Sequence, residues 1–325
     1  MLRLVSLADN AELDIELEDL PKAKLTGIWL EVVDPKKEEL EKVAEISGVP
    51  LDFLLLPESG NIVNLRVEPD FGVINFLIVR EIFEAKKINP IILVFSKDFL
   101  ITVAKSEDQK IVNLAKQRLD KVKVDQPSIA AFYIVDEIAA DHFTHLERIE
   151  ELASRLEQEV VEKTDQNLVK RILRAKSRLT SFNKILWYER GLVFNLKKSD
   201  VPYLSAKAKN LFDSTHEYIT RQIDIVETYR EILSDSINAY LSTVSNKINF
   251  SIRALTLVTL YLTIITTITS FPNTVATFFG IAQFGNTTPW IIFTILVLSI
   301  ILPSLWLWRR KWLRTTFEAL ERNGT

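Results

Sequence analysis

The sequence predicts a membrane protein of the α+β class: an N-terminal α/β domain, then long helices, then two closely spaced transmembrane helices at the C-terminal end. Three observations carry this expectation. Residues 254–308, 55 in a row, contain no Asp, Glu, Lys, Arg or His, although 26% of the chain is charged. Strand-like runs rich in Val, Ile and Phe fall within the first 104 residues. From Ser205 onward no Gly or Pro breaks a helical pattern until Pro272.

The charge partition has a physical cause. A charge at the centre of a bilayer costs roughly 3 kcal/mol or more, and the 253 residues before the uncharged run hold 76 of the 83 charged side chains. A hydrocarbon core about 30 Å thick needs about 20 apolar helical residues, so the run has room for two spans and a turn. The first span is placed at residues 252–280 and the second at 290–308, opened by Pro289. Between them, residues 281–289 form a short polar outer loop with Gly285 and Asn286 as turn formers. Trp290, Trp306 and Trp308 fall where interfacial aromatics belong.

Basic residues set the orientation. Lys247 and Arg253 precede the first span, and Arg309, Arg310, Lys311 and Arg314 open a basic tail at 309–325. Both termini are therefore expected in the cytoplasm, with the chain in the cell membrane. The first 25 residues carry an acidic run (Glu12, Asp14, Glu16, Glu18, Asp19) and lack the basic-then-apolar pattern of a cleaved signal. No Cys is present, which excludes disulfides and thiolate metal sites. Ahead of the membrane part, 35 basic residues face 41 acidic ones. That balance argues against a nucleic-acid partner and fits attraction of cations.

In chain order, residues 26–34 read as a strand and 36–47 as a helix ended by Gly48 and Pro50. Residues 64–69, 71–83 and 90–104 read as further strands, and a helix at about 106–122 closes the α/β unit. After Pro127 the pattern turns to long helices. Residues 128–163 carry nine acids and residues 166–198 nine bases, which reads as two oppositely charged faces pairing in an antiparallel hairpin. The alternative is an acidic helix that gathers cations. The domain at 1–200 thus includes the hairpin, and 201–251 forms a stalk that runs into the first span. From Ser205 such a helix is about 110 Å long at a rise of ~1.5 Å per residue, and a helix of that length needs partners, so a homo-oligomer is expected.

The function lies on that helix. Asn238, Ser242, Ser245, Asn249, Ile252, Thr256, Thr259, Thr263, Thr266, Ser270, Asn273 and Thr277 follow one another in alternating steps of four and three. This keeps all twelve on one face of a coiled-coil-like helix. Eleven are small and polar, while off-stripe neighbours such as Leu257, Leu260, Leu262, Ile264 and Ile268 are apolar. Hydroxyls in a membrane helix can serve as glue, bonding the carbonyl four residues back or a neighbouring helix. Ranged around an axis, they offer uncharged oxygen to a hydrated cation instead. Mg²⁺ keeps much of its water when bound, so such a lining suits it. Ile252, the one apolar member, is read as either a dewetting gate or a packing residue.

Other constellations are weaker. His142 and His145, beside Asp141, have helical metal-ligand spacing but no supporting Cys, and are expected to be a surface pair. No Gly-rich phosphate loop, Ser-His-Asp arrangement or catalytic carboxylate pair stands out, so an enzyme is not expected and no organic cofactor is implied.

Three stretches resemble the CorA family of pentameric Mg²⁺/Co²⁺ channels: residues 29–44, 226–249 and the ending 308–313. The resemblance implies a cytoplasmic αβα funnel domain, a long stalk and pore helix, a homopentamer around a five-fold axis, and Mg²⁺ as the transported and regulatory ion. Asn249 matches a pore Asn of the family, whereas Asn238 stands where members commonly carry Asp. The family's outer Gly-Met-Asn reads here as Gly280, Ile281 and Ala282, so the residues of the selectivity ring are replaced. The separation of Asn249 and Gly280 exceeds expectation by about one heptad, which lengthens the helix by about 10 Å without turning its face. Regulatory metal sites in the family use acids between the funnel domain and a neighbour's stalk. Asp213, Glu217, Asp224 and Glu231 are the candidates here. Three functions follow for testing: a divalent-cation channel, a non-conducting sensor or scaffold on the same fold, and a Zn²⁺ carrier with altered selectivity.

Overall fold

The computed structural model describes residues 1–8, 11–16, 19, 25–57, 63–82, 88–122, 126–162, 165–198 and 201–279, and in addition 290, 291, 294, 297, 298, 301, 302 and 305. The chain divides into two compact units, Met1–Tyr240 and Leu241–Thr325.

Among the described residues seven strands build one sheet in the first unit: β1 (Leu2–Ser6), β2 (Glu12–Ile15), β3 (Ile28–Val33), β4 (Asn64–Val67), β5 (Gly72–Val79), β6 (Ile88–Phe95) and β7 (Phe99–Ala104). Their order is β2-β1-β3-β7-β6-β5-β4. Only β3 and β7 run parallel; every other neighbouring pair is antiparallel. The central strands are buried on both faces, which explains their near-continuous runs of Val, Ile, Leu and Phe. One face (Leu4, Leu30, Val32, Ile92, Val94, Ile101, Val103) packs against Leu40 and Val43 of helix α1 (Lys37–Ser47). Helix α1 opens on a bond from the Lys36 N–H to the Glu39 carboxylate, 2.8 Å, and ends at Gly48 in the left-handed region, φ 71.

The opposite face meets α2 (Gln109–Val122) and α3 (Pro127–Glu162), giving three layers, α1, sheet, and α2 with α3. Trp29, fully buried on this side, donates its indole N–H to the Thr102 hydroxyl at 3.0 Å. The buried Glu31 carboxylate is met by Lys116 of α2 at 2.7 Å.

Two strand expectations need correction. Residues 90–104 are not one strand: the chain reverses at 96–98, where the Ser96 hydroxyl accepts the N–H groups of Asp98 and Phe99, each at 3.1 Å. A local side-chain acceptor competes with the sheet ladder for those donors. Strands β1 and β2 were not expected at all. The acids Glu12 and Asp14 sit on β2, where Arg3 of β1 meets them at 3.4 and 2.9 Å, so part of the acidic run is cross-strand pairing.

Helix α4 (Gln166–Lys198) folds back on α3. Glu159–Arg171 at 2.6 Å and His142–Glu189 at 3.5 Å join the two helices in antiparallel register. Charge pairing across the hairpin is sparser than expected. Asp136 and Glu137 of α3 turn instead to Arg118 of α2, at 2.6 and 2.9 Å. The histidines are also a correction. His142 is 0% and His145 5% exposed, because they share the core-facing line of α3 with Ile138, Leu146 and Ile149. Phe182 meets the His142 ring edge to face at 5.4 Å.

Candidate ion pathway

Helix α5 (Ala206–Phe279) is one unbroken element of 74 residues. Its first half is fastened to the rest of the first unit by an apolar line, Phe212, Ile219, Ile223, Val226 and Leu233, all buried. Polar pegs fix its register. Thr215 donates to the Asp136 carboxylate at 2.7 Å, the Gln222 amide donates to the Ala139 carbonyl at 2.6 Å, and Lys176 donates to the Ser234 hydroxyl at 2.7 Å. Just ahead of the helix, the Tyr203 hydroxyl reaches the carbonyls of Glu68 and Phe71 at 2.7 and 2.5 Å.

Burial pushes the Glu189 carboxyl well above the usual range and holds the His142 imidazole down at about 3, so burial favours the neutral form of each. This pair, with Gln222 also fully buried, is a polar core feature outside the helix stripe.

In the second half of α5 the environment changes. Leu255, Val258, Tyr261 and Leu262 are exposed in the single chain, and among the described residues Ala206–Ser270 is the one helix long and apolar enough to cross a membrane. The twelve stripe positions, Asn238, Ser242, Ser245, Asn249, Ile252, Thr256, Thr259, Thr263, Thr266, Ser270, Asn273 and Thr277, all lie on α5 and all are exposed.

The threonine hydroxyls share one geometry. Thr256, Thr259, Thr263, Thr266 and Thr277 each donate to the carbonyl four residues earlier, at 2.6 to 2.9 Å. The back-bond occupies the single proton of the hydroxyl and leaves its oxygen as an acceptor. These five threonines of the stripe therefore present acceptors. An open groove of about 590 Å³ along this helix is lined by Thr263, Thr266, Thr267, Ser270 and Thr274. Thr267 and Thr274, which a strict four-three count passes over, widen the polar face; their own spacing of seven was the available signal.

The remaining candidates differ in kind. Asp213 is already ion-paired with Lys197 of α4. Glu217, Asp224 and Glu231 are exposed on α5 at intervals of seven. Gly280, Ile281 and Ala282, the loop to residue 289 and the tail from 309 lie outside the described residues. The second span was expected at 290–308, and the residues described there, from Trp290 to Leu305, are helical. Among the described residues no three His, Cys, Asp or Glu side chains are grouped to hold a metal ion.

A three-layer αβα domain whose last helix runs on into an uncharged, apolar, hydroxyl-striped segment has the build of a membrane ion transporter. The family model of the CorA-like Mg²⁺ transporter protein matches residues 25–311, and the chain belongs to that family. The cobalt/magnesium transport protein CorA of Methanocaldococcus jannaschii is 24% identical over 270 residues, 80% of this chain and 83% of that protein. The corresponding CorA protein of Thermotoga maritima is 30% identical over 127 residues, 39% of this chain and 36% of its own. In fold, the chain is similar to the complete structure of the M. jannaschii CorA magnesium transporter, with a TM-score of 0.71 at 22% identity, covering 95% of this chain and 98% of that one.

Proposed function

We propose that the chain is one subunit of a homopentameric channel that passes hydrated Mg²⁺, and with it Co²⁺ or Ni²⁺, down the membrane potential into the cytoplasm. The observation that carries this reading is the row of back-bonded threonines. A hydrated divalent cation points the hydrogens of its water shell outward. A lining made of acceptors receives them without stripping the ion, which suits a cation that dehydrates reluctantly. At about 100 mV a divalent ion gains about 4.6 kcal/mol on crossing, so no other energy source is needed.

In this reading residues 1–200 form the cytoplasmic domain, 201–251 the stalk, 252–280 and 290–308 the two spans, and both termini are cytoplasmic. Ile252 forms the hydrophobic constriction. Glu217, Asp224 and Glu231 are the open regulatory positions for Mg²⁺, since Asp213 is engaged with Lys197. A second reading, a non-conducting sensor or scaffold or a Zn²⁺ carrier, is favoured by one observation: Ile281 and Ala282 follow Gly280 where the resemblance calls for Met and Asn.

Flux into liposomes separates the readings. The reconstituted full chain is expected to take up Mg²⁺ under an inside-negative potential, and absence of uptake of Mg²⁺, Co²⁺, Ni²⁺ and Zn²⁺ by the folded oligomer would sink the channel. Uptake of Zn²⁺ alone would establish the carrier. Thr263→Val with Thr266→Val keeps side-chain shape while deleting two rings of acceptors. It is expected to lower Mg²⁺ flux about tenfold, the weight of roughly 1.4 kcal/mol in the barrier; unchanged flux, also in Asn249→Ala, would remove the stripe from the pathway.

A further inference from the structure

One face of α4 carries three exposed aromatic side chains, of which Phe194 borders His216 of α5 with ring centroids 5.8 Å apart. Trp187, Tyr188 and Phe194 are 49%, 45% and 42% exposed. Each carries a cation over its ring: Arg190 over Trp187 at 3.8 Å, Lys184 over Tyr188 at 5.7 Å and Lys198 over Phe194 at 5.0 Å. Lys184, Arg190 and Lys198 form no ion pair among the described residues. Between the aromatics lies Gly191, in mid-helix, where an added Cβ would meet nothing within 4 Å. A helical Gly costs about 1 kcal/mol relative to Ala, and among the described residues nothing occupies the space it leaves. Its absent side chain leaves a notch between Trp187 and Phe194 into which a partner can approach closely.

The chain also presents the complementary surface. On the outer side of α3, Glu147, Glu151 and Glu157 are exposed and likewise form no ion pair among the described residues, while the neighbouring Arg148 and Arg155 are engaged by Glu81 at 3.5 Å and by the Glu151 carbonyl at 3.1 Å. We infer that the outer face of α4 docks onto the acidic outer face of α3 in a second copy of this chain, with Gly191 as the point of closest approach. Trp, Tyr and Arg are the residue types that anchor protein interfaces, and opposite charges set the register. Because the two faces differ, the contact is head-to-tail, and a head-to-tail contact that closes makes a ring. The inference rests on the homo-oligomeric reading above and adds to it which surfaces meet.

The chain has no Cys, so introduced ones are unique. The test uses the full chain in detergent, with differently tagged Phe194→Cys and Glu151→Cys variants co-assembled and treated with a short bismaleimide. The expected result is a covalent dimer joining the two tags. Lys184→Glu with Lys198→Glu is expected to weaken assembly about tenfold in native mass spectrometry, and adding Glu147→Lys and Glu151→Lys to restore it. Gly191→Gln, a better helix former, is expected to keep the helical circular dichroism while weakening assembly similarly. An intact oligomer with no cross-link overturns this inference and leaves the channel reading standing. So does a Lys184→Glu/Lys198→Glu variant that assembles normally but no longer binds phosphatidylserine vesicles. A wild-type chain that stays monomeric overturns both.

Discussion

His142 and Glu189 place two titratable groups 3.5 Å apart with no exposed surface. Burial favours the neutral form of each, which lowers the pKa of the imidazole and raises that of the carboxyl. The consequences for stability have opposite signs. His142, depressed from its ordinary value of 6.5 to about 3, contributes stability that is present above 6.5 and lost as pH falls toward 3. Glu189, raised above its ordinary 4.5, contributes stability that is present below 4.5 and lost as pH rises toward its folded value. Glu189→Gln removes the second effect and keeps the shape. Denaturation of the full chain between about pH 5 and pH 8 should therefore show the wild type losing up to about 1.4 kcal/mol per pH unit relative to the variant. Parallel pH profiles would mean that the carboxyl ionises without penalty. At this scale the sequence was least legible. The pair lies 47 positions apart along the chain, and three histidines among 325 residues leave no pattern to follow. Only the α3–α4 register brings the two groups together.

Among the elements, the sheet and the stripe obey different constraints. Gly72 of β5 lies opposite Phe95 of β6, and a Cβ there would come within 2.9 Å of the Phe95 and Tyr203 rings. Those rings meet edge to face at 5.5 Å, and Tyr203 in turn caps the carbonyls of Glu68 and Phe71. Gly72→Ala is expected to cost about 1–3 kcal/mol through overpacking, and Tyr203→Phe about 1 kcal/mol through the hydrogen bond lost at the Glu68 carbonyl, since the Phe71 carbonyl still accepts the Glu68 N–H at 2.9 Å. Chemical denaturation measures both, and a neutral Gly72→Ala would show that the Phe95 ring yields freely. The stripe carries a geometric demand instead. Steps of four and three average 3.5 residues per turn, so on a straight helix the line drifts by about 20° per heptad. All twelve positions face one axis only if several copies of α5 coil left-handedly around each other. Strands β6 and β7 read as a single strand, whereas helix α1, strands β3, β4 and β5 and the start of α3 were readable from period, glycine and proline. Strands β1 and β2 were not, because four or five residues of mixed polarity at a sheet edge carry too little pattern.

For the whole molecule, the charge-free stretch and the acidic first unit decide the setting. Glu217, Asp224 and Glu231 stay exposed in the single chain, as they must if Mg²⁺ is to hold copies of the stalk together. Limited proteolysis of the assembled chain should then be slower in about 10 mM Mg²⁺ than in chelator, since a ligand that binds only the folded assembly stabilises it by mass action. Glu217→Gln, Asp224→Asn and Glu231→Gln together should abolish the difference; protection that survives the triple change would place regulation elsewhere. The sequence by itself determined the membrane segment, the long α5 and its polar stripe. Each of these is a periodic or compositional property of a continuous stretch, imposed by lipid or by helix geometry. Tertiary structure alone decided the strand order, the turn at 96–98, the burial of His142 and Glu189, and the engagement of Asp213 by Lys197. Those depend on which residues distant in the chain, or which backbone carbonyls, stand within about 3 Å of a given atom, and spacing along the sequence does not encode that.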